Sequence, residues 1–220
     1  MHANLVDATS TWRTLDGGVS WERSYPTLNG TMNYELLFCG EFISSDTGWV
    51  GGDHGTVFTT TTGGKTWHAI ASESENVTMI DAGMIGKSLG WIIATNGTLF
   101  LTLNNGASWA AKPLQVNKGL EYLILSAYFH NQERGWIVGK DISGSDTTTS
   151  SDNSGASGVA LFTVDGGNSW KKAELGSEET SFLKVEFSDE LHGWLASTKN
   201  LYITNDGGKT WGNISQQAFR

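Results

Sequence analysis

Short apolar runs alternate with Gly- and Ser/Thr-rich breaks along the whole chain of 220 residues. Between residues 33 and 70 the runs read "NYELLFCGEF", "GWVGG", "TVFTTT" and "KTWHAI". Each is a few residues long, rich in β-branched and aromatic side chains, and bounded by turn formers, which predicts strands. No segment carries the 3.6-residue apolar period of a helix. Four runs joined by tight turns predict a four-stranded antiparallel sheet.

The same pattern returns five times. "TLDGGVSW", "TTTGGKTW", "TLNNGASW", "TVDGGNSW" and "TNDGGKTW" end at Trp21, Trp67, Trp109, Trp170 and Trp211. Counting back from each Trp, the seventh position is always Thr (Thr14, Thr60, Thr102, Thr163, Thr204) and the third always Gly. The fifth is Asp16, Thr62, Asn104, Asp165 or Asp206. A second phrase precedes four of the copies, a large apolar residue seven positions before a Gly-Trp: "FISSDTGW", "MIGKSLGW", "FHNQERGW" and "FSDELHGW". A repeat of about 42 residues holding four strands is the blade of a β-propeller, an architecture that limits bare sheet edges by radial repetition.

The eight-residue phrase has a structural reading. It spans the turn between the third and fourth strands, where Gly takes the positive φ that the turn demands. Asp or Asn accepts hydrogen bonds from the turn amides, and Thr62 does so more weakly. The terminal Trp is expected to pack on the neighbouring sheet, and burying ~150–250 Å² at ~25 cal/mol/Å² contributes about 4–6 kcal/mol gross. The phrase therefore staples a blade and is not itself a site.

One blade departs from the rhythm. Between Trp136 and Trp170 the stretch "DISGSDTTTSSDNSGASG" (residues 141–158) is too polar to pack and reads as a loop inserted in the fourth repeat of a single domain covering residues 1–220. At the ends, the residues before Thr14 leave room for a second and third strand but not a first. The tail "GNISQQAFR" from residue 212 is expected to supply the missing strand if the ring closes on five blades.

The net charge of −9 speaks against nucleic acid, whose phosphates need a basic face. The single Cys39, within an alternating apolar run, reads as a small buried hydrophobe. No uninterrupted apolar segment reaches the ~20 residues that cross a bilayer, and "MHANLVDATS" lacks the pattern of a signal peptide. His2, His54, His68, His130 and His192 show no metal-ligand spacing, and Asp141, Asp146 and Asp152 lack the order of a Ca²⁺ loop. No metal and no cofactor are expected.

Thr-x-Asp-x-Gly-x-Ser/Thr-Trp resembles the Asp-box, and the chain resembles Asp-box (BNR-like) β-propellers over nearly its whole length. "FISSDTGWVGGDHGTVFTTTTGGKTW", "GWIVGKD" and "LFTVDGGNSW" are most similar to the repeat of the photosystem II stability/assembly factors and their bacterial relatives. The resemblance implies an all-β propeller of five Asp-box repeats with four-stranded antiparallel blades, either a closed five-bladed ring or part of a seven-bladed one. It also implies an extracytoplasmic protein (periplasm, lumen or secreted), a membrane-complex subunit as partner, and an arginine-lined patch; this sequence holds Arg13, Arg23, Arg134 and Arg220.

Function is expected in loops on a rigid scaffold. The loops between second and third strands, together with the links between blades, gather Asp53, His54, Asn96, Lys140, Asp141 and Lys199, with Glu73 and the insertion, on one face. These are the candidate binding residues of a non-catalytic, protein-binding scaffold; no catalytic residue is assigned. The alternative is a carbohydrate-active propeller, a glycoside hydrolase or a glycan-binding lectin. A sialidase needs three converging arginines and a tyrosine nucleophile. A paired-carboxylate glycosidase needs two acids ~5–9.5 Å apart.

Overall fold

In a computed structural model, the structure describes residues 3–28, 31–32, 36–70, 77–85, 89–115, 121–143, 157–175 and 179–215. The described residues are strand and turn throughout, with one short 3₁₀ turn at Asp53–Gly55. No helix among them is long and apolar enough to cross a membrane.

Two compact units divide the chain. The first (Met1–Ala94 and Leu99–Ala111) opens with a three-stranded sheet of β1 (Ala3–Asp7), β2 (Ser10–Thr14) and β3 (Glu22–Ser24). A two-stranded ribbon of β4 (Thr27–Leu28) and β5 (Thr31–Met32), which the repeat did not foretell, follows. Two four-stranded sheets complete it: β6 (Leu37–Phe42), β7 (Gly48–Gly52), β8 (Val57–Thr60) and β9 (His68–Ile70), then β10 (Met79–Ile85), β11 (Leu89–Ala94), β12 (Leu99–Thr102) and β13 (Ala110–Lys112).

The second unit (Thr95–Thr98 and Lys112–Arg220) has two four-stranded sheets. One is β14 (Tyr122–Phe129), β15 (Gly135–Asp141), β16 (Ser157–Thr163) and β17 (Lys171–Lys172). The other is β18 (Phe182–Phe187), β19 (Gly193–Ser197), β20 (Leu201–Thr204) and β21 (Gly212–Asn213). Among the described residues all pairing is antiparallel between chain neighbours, as a meander requires.

The first sheet holds three strands among the described residues, in the order β1-β2-β3. At the other end Gly212–Asn213 are the fourth strand of their own sheet, so those two residues of the tail do not serve as the missing strand. Residues 216–220 lie outside the described residues, as do 144–156 of the insertion and Glu73. The insertion's roots are closed side by side, with Asp141 paired to Ser157 in the β15–β16 register.

Four equivalent register shifts mark the first strand of each four-stranded sheet, at Leu37/Cys39, Met79/Asp81, Ile124/Ser126 and Phe182/Lys184. A bulge recurring at one place bends each strand in the same way.

Sheets pack face to face through the apolar positions of the two repeated phrases. In the first unit Cys39, Trp49 and Val57 meet Met79, Ile92 and Ala94. In the second, Trp136, Val138 and Ala160 meet Phe182, Val185, Phe187, Leu195 and Tyr202. Gly of the Gly-Trp phrase has a direct cause: a Cβ at Gly48, Gly135 or Gly193 would overlap the ring of Phe42, Phe129 or Phe187, the aromatic that opens the same phrase.

Candidate functional site

The repeated turns fix three acids in the same way, Asp16, Asp165 and Asp206. Each box Thr is buried, and its hydroxyl accepts the amide of the box Gly: Gly18, Gly64, Gly106, Gly167 and Gly208 donate at 2.8–3.0 Å. The same hydroxyls of Thr14, Thr163 and Thr204 donate to Asp16, Asp165 and Asp206 at 2.8 Å. Each Asp then accepts the backbone amide of Ser20, Ser169 or Thr210 at 2.9 Å and, on its other oxygen, the hydroxyl of that residue. These bonds hold the Asp16 carboxyl well below its usual range and bring Asp165 and Asp206 to about 2. Asn104 repeats the pattern through Oδ1 (Ser108 amide, 2.9 Å), and Thr62 through its hydroxyl (Thr66 amide, 2.9 Å). The sequence displayed the conserved-looking Thr of all five copies, but its hydroxyl's double role emerges only in three dimensions.

The terminal Trp residues do not share one environment. Trp67 is buried and donates Nε1–H to Ser24 of the preceding sheet at 3.2 Å. Trp109 meets Trp49 edge-on at 5.2 Å, and Trp211 meets Trp136 edge-on at 5.5 Å. Trp170 is half-buried and edges onto Phe129 of its own sheet at 6.2 Å. Trp21, expected to pack on a neighbouring sheet, is 37 % exposed.

The candidate binding residues fall in both units. In the first, Asp53 and His54 form the 3₁₀ turn between β7 and β8; Asp53 accepts the Thr78 hydroxyl at 3.1 Å, and His54 is exposed with φ 52°. In the second, Asn96 caps its own turn by accepting the Thr98 amide at 2.9 Å. Lys140 and Asp141 end β15, where Asp141 accepts the Ser143 hydroxyl at 2.6 Å. Lys199 is exposed on the β19–β20 turn.

That turn leads to a carboxylate the sequence reading missed. Glu179, 5 % exposed, accepts Asn200 Nδ2 at 2.5 Å and the Tyr202 hydroxyl at 2.9 Å through Oε1, while buried Oε2 has no hydrogen-bond partner. Its amide neighbourhood ties Lys140 in as well, since the Glu179 carbonyl accepts the amide of Gly158, which is Lys140's register partner. Burial raises the Glu179 pKa, but the bonds from Asn200, Ser197 and Tyr202 and the charge of Lys199 outweigh it and keep the group ionised. "GSEETSF" gave no sign of this, because only folding carries Asn200 and Tyr202 to it. The Tyr202–Glu179 pair matches half of a sialidase's needs, yet Tyr202 is only 2 % exposed and shut in the sheet interface.

A concave surface lies elsewhere in the second unit. A cleft of about 490 Å³ is floored by Trp136, Phe162 and Trp211 and rimmed by Arg134, Lys172, Lys209, Glu174 and Glu190. Its volume suits a side chain or small ligand. Trp136 lies 5.3 Å from Phe162 at a tilt of 35°, so the floor is an aromatic cluster. His130 borders it, half-buried, with Nε2 buried and unpartnered. Burial lowers the His130 pKa, with Arg134 acting in the same direction and Glu190 and Asp189 against it, so neutral imidazole is favoured. None of the cleft residues is among the candidate binding residues read from sequence, where Trp211 was a structural box position and Arg134 entered only beside the arginine-lined patch that the resemblance implies. Their positions at turns of the opposite kind, before β15 and after β16, concealed them. Among the described residues no cluster of His, Cys, Asp or Glu could hold a metal ion.

Comparison with known proteins agrees with this architecture. Residues 70–177 match the family described as photosynthesis system II assembly factor YCF48. The photosystem II assembly lipoprotein Ycf48 of Picosynechococcus sp. is 48% identical over 46 residues, a match covering 20% of this chain and 13% of that protein's length. Among solved structures, YCF48 from Cyanidioschyzon merolae superposes with a TM-score of 0.53 at 19% identity, covering 98% of this chain and 81% of that one. An ancestral GH74 enzyme superposes with a TM-score of 0.70 at 13% identity, over 98% of this chain and 29% of the enzyme. These structural likenesses show the fold. With the repeat, the sheets and the matched segment taken together, the chain is a BNR-like β-propeller protein, similar over residues 70–177 to the photosystem II assembly factor Ycf48.

Proposed function

We propose that this chain is a non-catalytic scaffold that binds a protein partner, a subunit of a photosystem II-like membrane complex, on the extracytoplasmic side. The observation that carries the reading is the family match over residues 70–177, which contains most of the cleft's lining, from His130 to Glu174. In this reading a partner polypeptide sets an apolar side chain on the half-buried Phe162 and Trp211, which the buried Trp136 backs. Arg134, Lys172 and Lys209 face its polar flanks. The loop residues Asn96, Lys140, Asp141 and Lys199 of the same unit supply a second, polar contact, and Asp53 and His54 one on the first unit. A buried aromatic floor within a charged rim is the usual anatomy of a binding hot spot.

The test is binding of the purified chain to a detergent-solubilised photosystem II assembly intermediate, measured by biolayer interferometry. Arg134→Glu with Lys209→Glu should weaken binding about tenfold or more, because reversing two rim charges turns complementary flanks into like-charged ones, and leave the melting temperature unchanged. Unchanged affinity would remove the cleft from the reading, and no binding by the parent chain would end it.

One observation keeps the carbohydrate-active alternative alive: Glu174 and Glu190 both line a cleft floored by aromatics. Release of reducing ends from xyloglucan, lost in Glu174→Gln and Glu190→Gln, would establish that alternative instead.

A further inference from the structure

Asn-Gly occurs three times along the chain, at residues 29–30, 96–97 and 105–106. In such a pair the glycine amide nitrogen reaches the asparagine Cγ easily, because glycine has no side chain to crowd the approach. Two features of the fold decide whether attack follows. The amide has to be unengaged, and the oxygen that gathers charge needs a donor already in place. Residues 29–30 lie outside the described residues, and the other two pairs differ in both features.

Asn105–Gly106 belongs to a box turn, where the Gly106 amide is donated to the buried Thr102 hydroxyl at 2.8 Å. The Gly97 amide has no such partner among the described residues. Asn96 itself is exposed, and its Oδ1 accepts the Thr98 amide at 2.9 Å. That donor faces the oxygen on which charge develops when Cγ is attacked, as in an oxyanion hole. Gly97 has φ +80°, and Leu114 lies where its Cβ would stand, so the position admits glycine and the nucleophile stays unhindered. Asn104, Asn131 and Asn213 also accept backbone amides through Oδ1. Asn105, Gln132 and Ile214 follow them, and a side chain there crowds the attack.

We propose that Asn96 is a self-modification site, converted to aspartate and isoaspartate by the turn that holds it. The Gly97 amide nitrogen gives its proton to water and bonds to Asn96 Cγ, while the Thr98 amide holds the oxyanion on Oδ1. The Cγ–Nδ2 bond then breaks, and nitrogen leaves as ammonia with a proton from water, which closes a cyclic imide. Water opens the imide at either carbonyl. In sum one water is consumed and one ammonia released. Either product puts a carboxylate on the β11–β12 turn in place of an amide. The isoaspartyl form also adds a carbon to the backbone beside Thr95, whose carbonyl accepts the Ile124 amide at 2.8 Å. The turn is thus a slow covalent switch of charge and of its pairing to β14.

The test holds the full, folded chain for days in mildly alkaline buffer and resolves each asparagine by peptide mass spectrometry. Labelling by an isoaspartyl methyltransferase gives a second readout. Asn96 should convert about tenfold faster than Asn105 or more, since a single well-placed oxyanion donor contributes at least that much. In urea the two rates should converge, because both pairs then present the same unengaged glycine amide. Asn96→Gln, whose imide would need a larger ring, should show no conversion at this position while folding as the parent does. An Asn96 that stays intact in the folded chain but converts in urea overturns the proposal. Equal rates at Asn96 and Asn105 in the folded chain overturn it as well.

Discussion

At the residue scale the repeated turn tolerates Asp, Asn or Thr because what it needs is one acceptor oxygen facing the amide four residues on. Asp165, Asn104 and Thr62 all supply it at 2.9 Å. Only a carboxylate offers a second oxygen to the hydroxyl of Ser169. Asp165→Asn keeps one acceptor and should therefore lower the melting temperature less than Asp165→Ala, which removes both and lowers it by a few degrees. Differential scanning calorimetry of the two variants decides it, and an Ala variant as stable as the parent would deny the turn its role. The acceptor was legible from sequence. The buried Thr163 hydroxyl, which accepts Gly167 and donates to Asp165, was not, because a Thr in a strand is equally at home as a pleat filler.

At the element scale, glycine decides how closely the turn of one sheet approaches the next. Gly208 has φ +83°, and a side chain there would also collide with Trp136. Gly208→Ala should destabilise the protein by more than about 1 kcal/mol, since both backbone and space oppose it. Urea denaturation would show the loss as a lower midpoint at constant slope. The inserted loop should behave oppositely. Asp141 and Ser157 are already paired at its root, so replacing residues 144–156 with a short Gly/Ser link changes closure entropy only slowly. The melting temperature should stay within a few degrees, and a large fall would assign the loop a packed or ligand-bound role. The strands and their turns could be read from run lengths and glycines. The ribbon β4–β5 could not, because two residues a side carry no period.

For the whole molecule, the depressed carboxylates set the acid limit of stability. Asp165, Asp189 and Asp206 have folded-state values of about 2, held down by hydrogen bonds from their own turns. In the unfolded chain they return to roughly 3.9. Their contribution is therefore complete above about pH 4 and is lost as pH falls toward 2, because the unfolded state then binds more protons. Melting temperature against pH should decline through that window, and the decline should flatten in Asp165→Asn with Asp206→Asn. A double variant with the parent's acid limb would exclude these turns as its source.

The amino-acid order by itself determined the all-β class, the five repeats, the turn chemistry and the three-stranded start, because each depends on spacing within some forty residues. Only the tertiary structure decided which Trp is covered, which acid is buried and where the surface is concave. Trp21 and Trp67 occupy identical places in the repeat, yet one is 37 % and the other 6 % exposed, since exposure depends on what a neighbouring sheet brings, as Ser24 does for Trp67. Glu179 and the cleft of Arg134, Phe162 and Trp211 are likewise built from residues far apart in the chain. A repeat read along the chain specifies each blade's interior, but its surroundings arise from packing between blades, which no local pattern encodes.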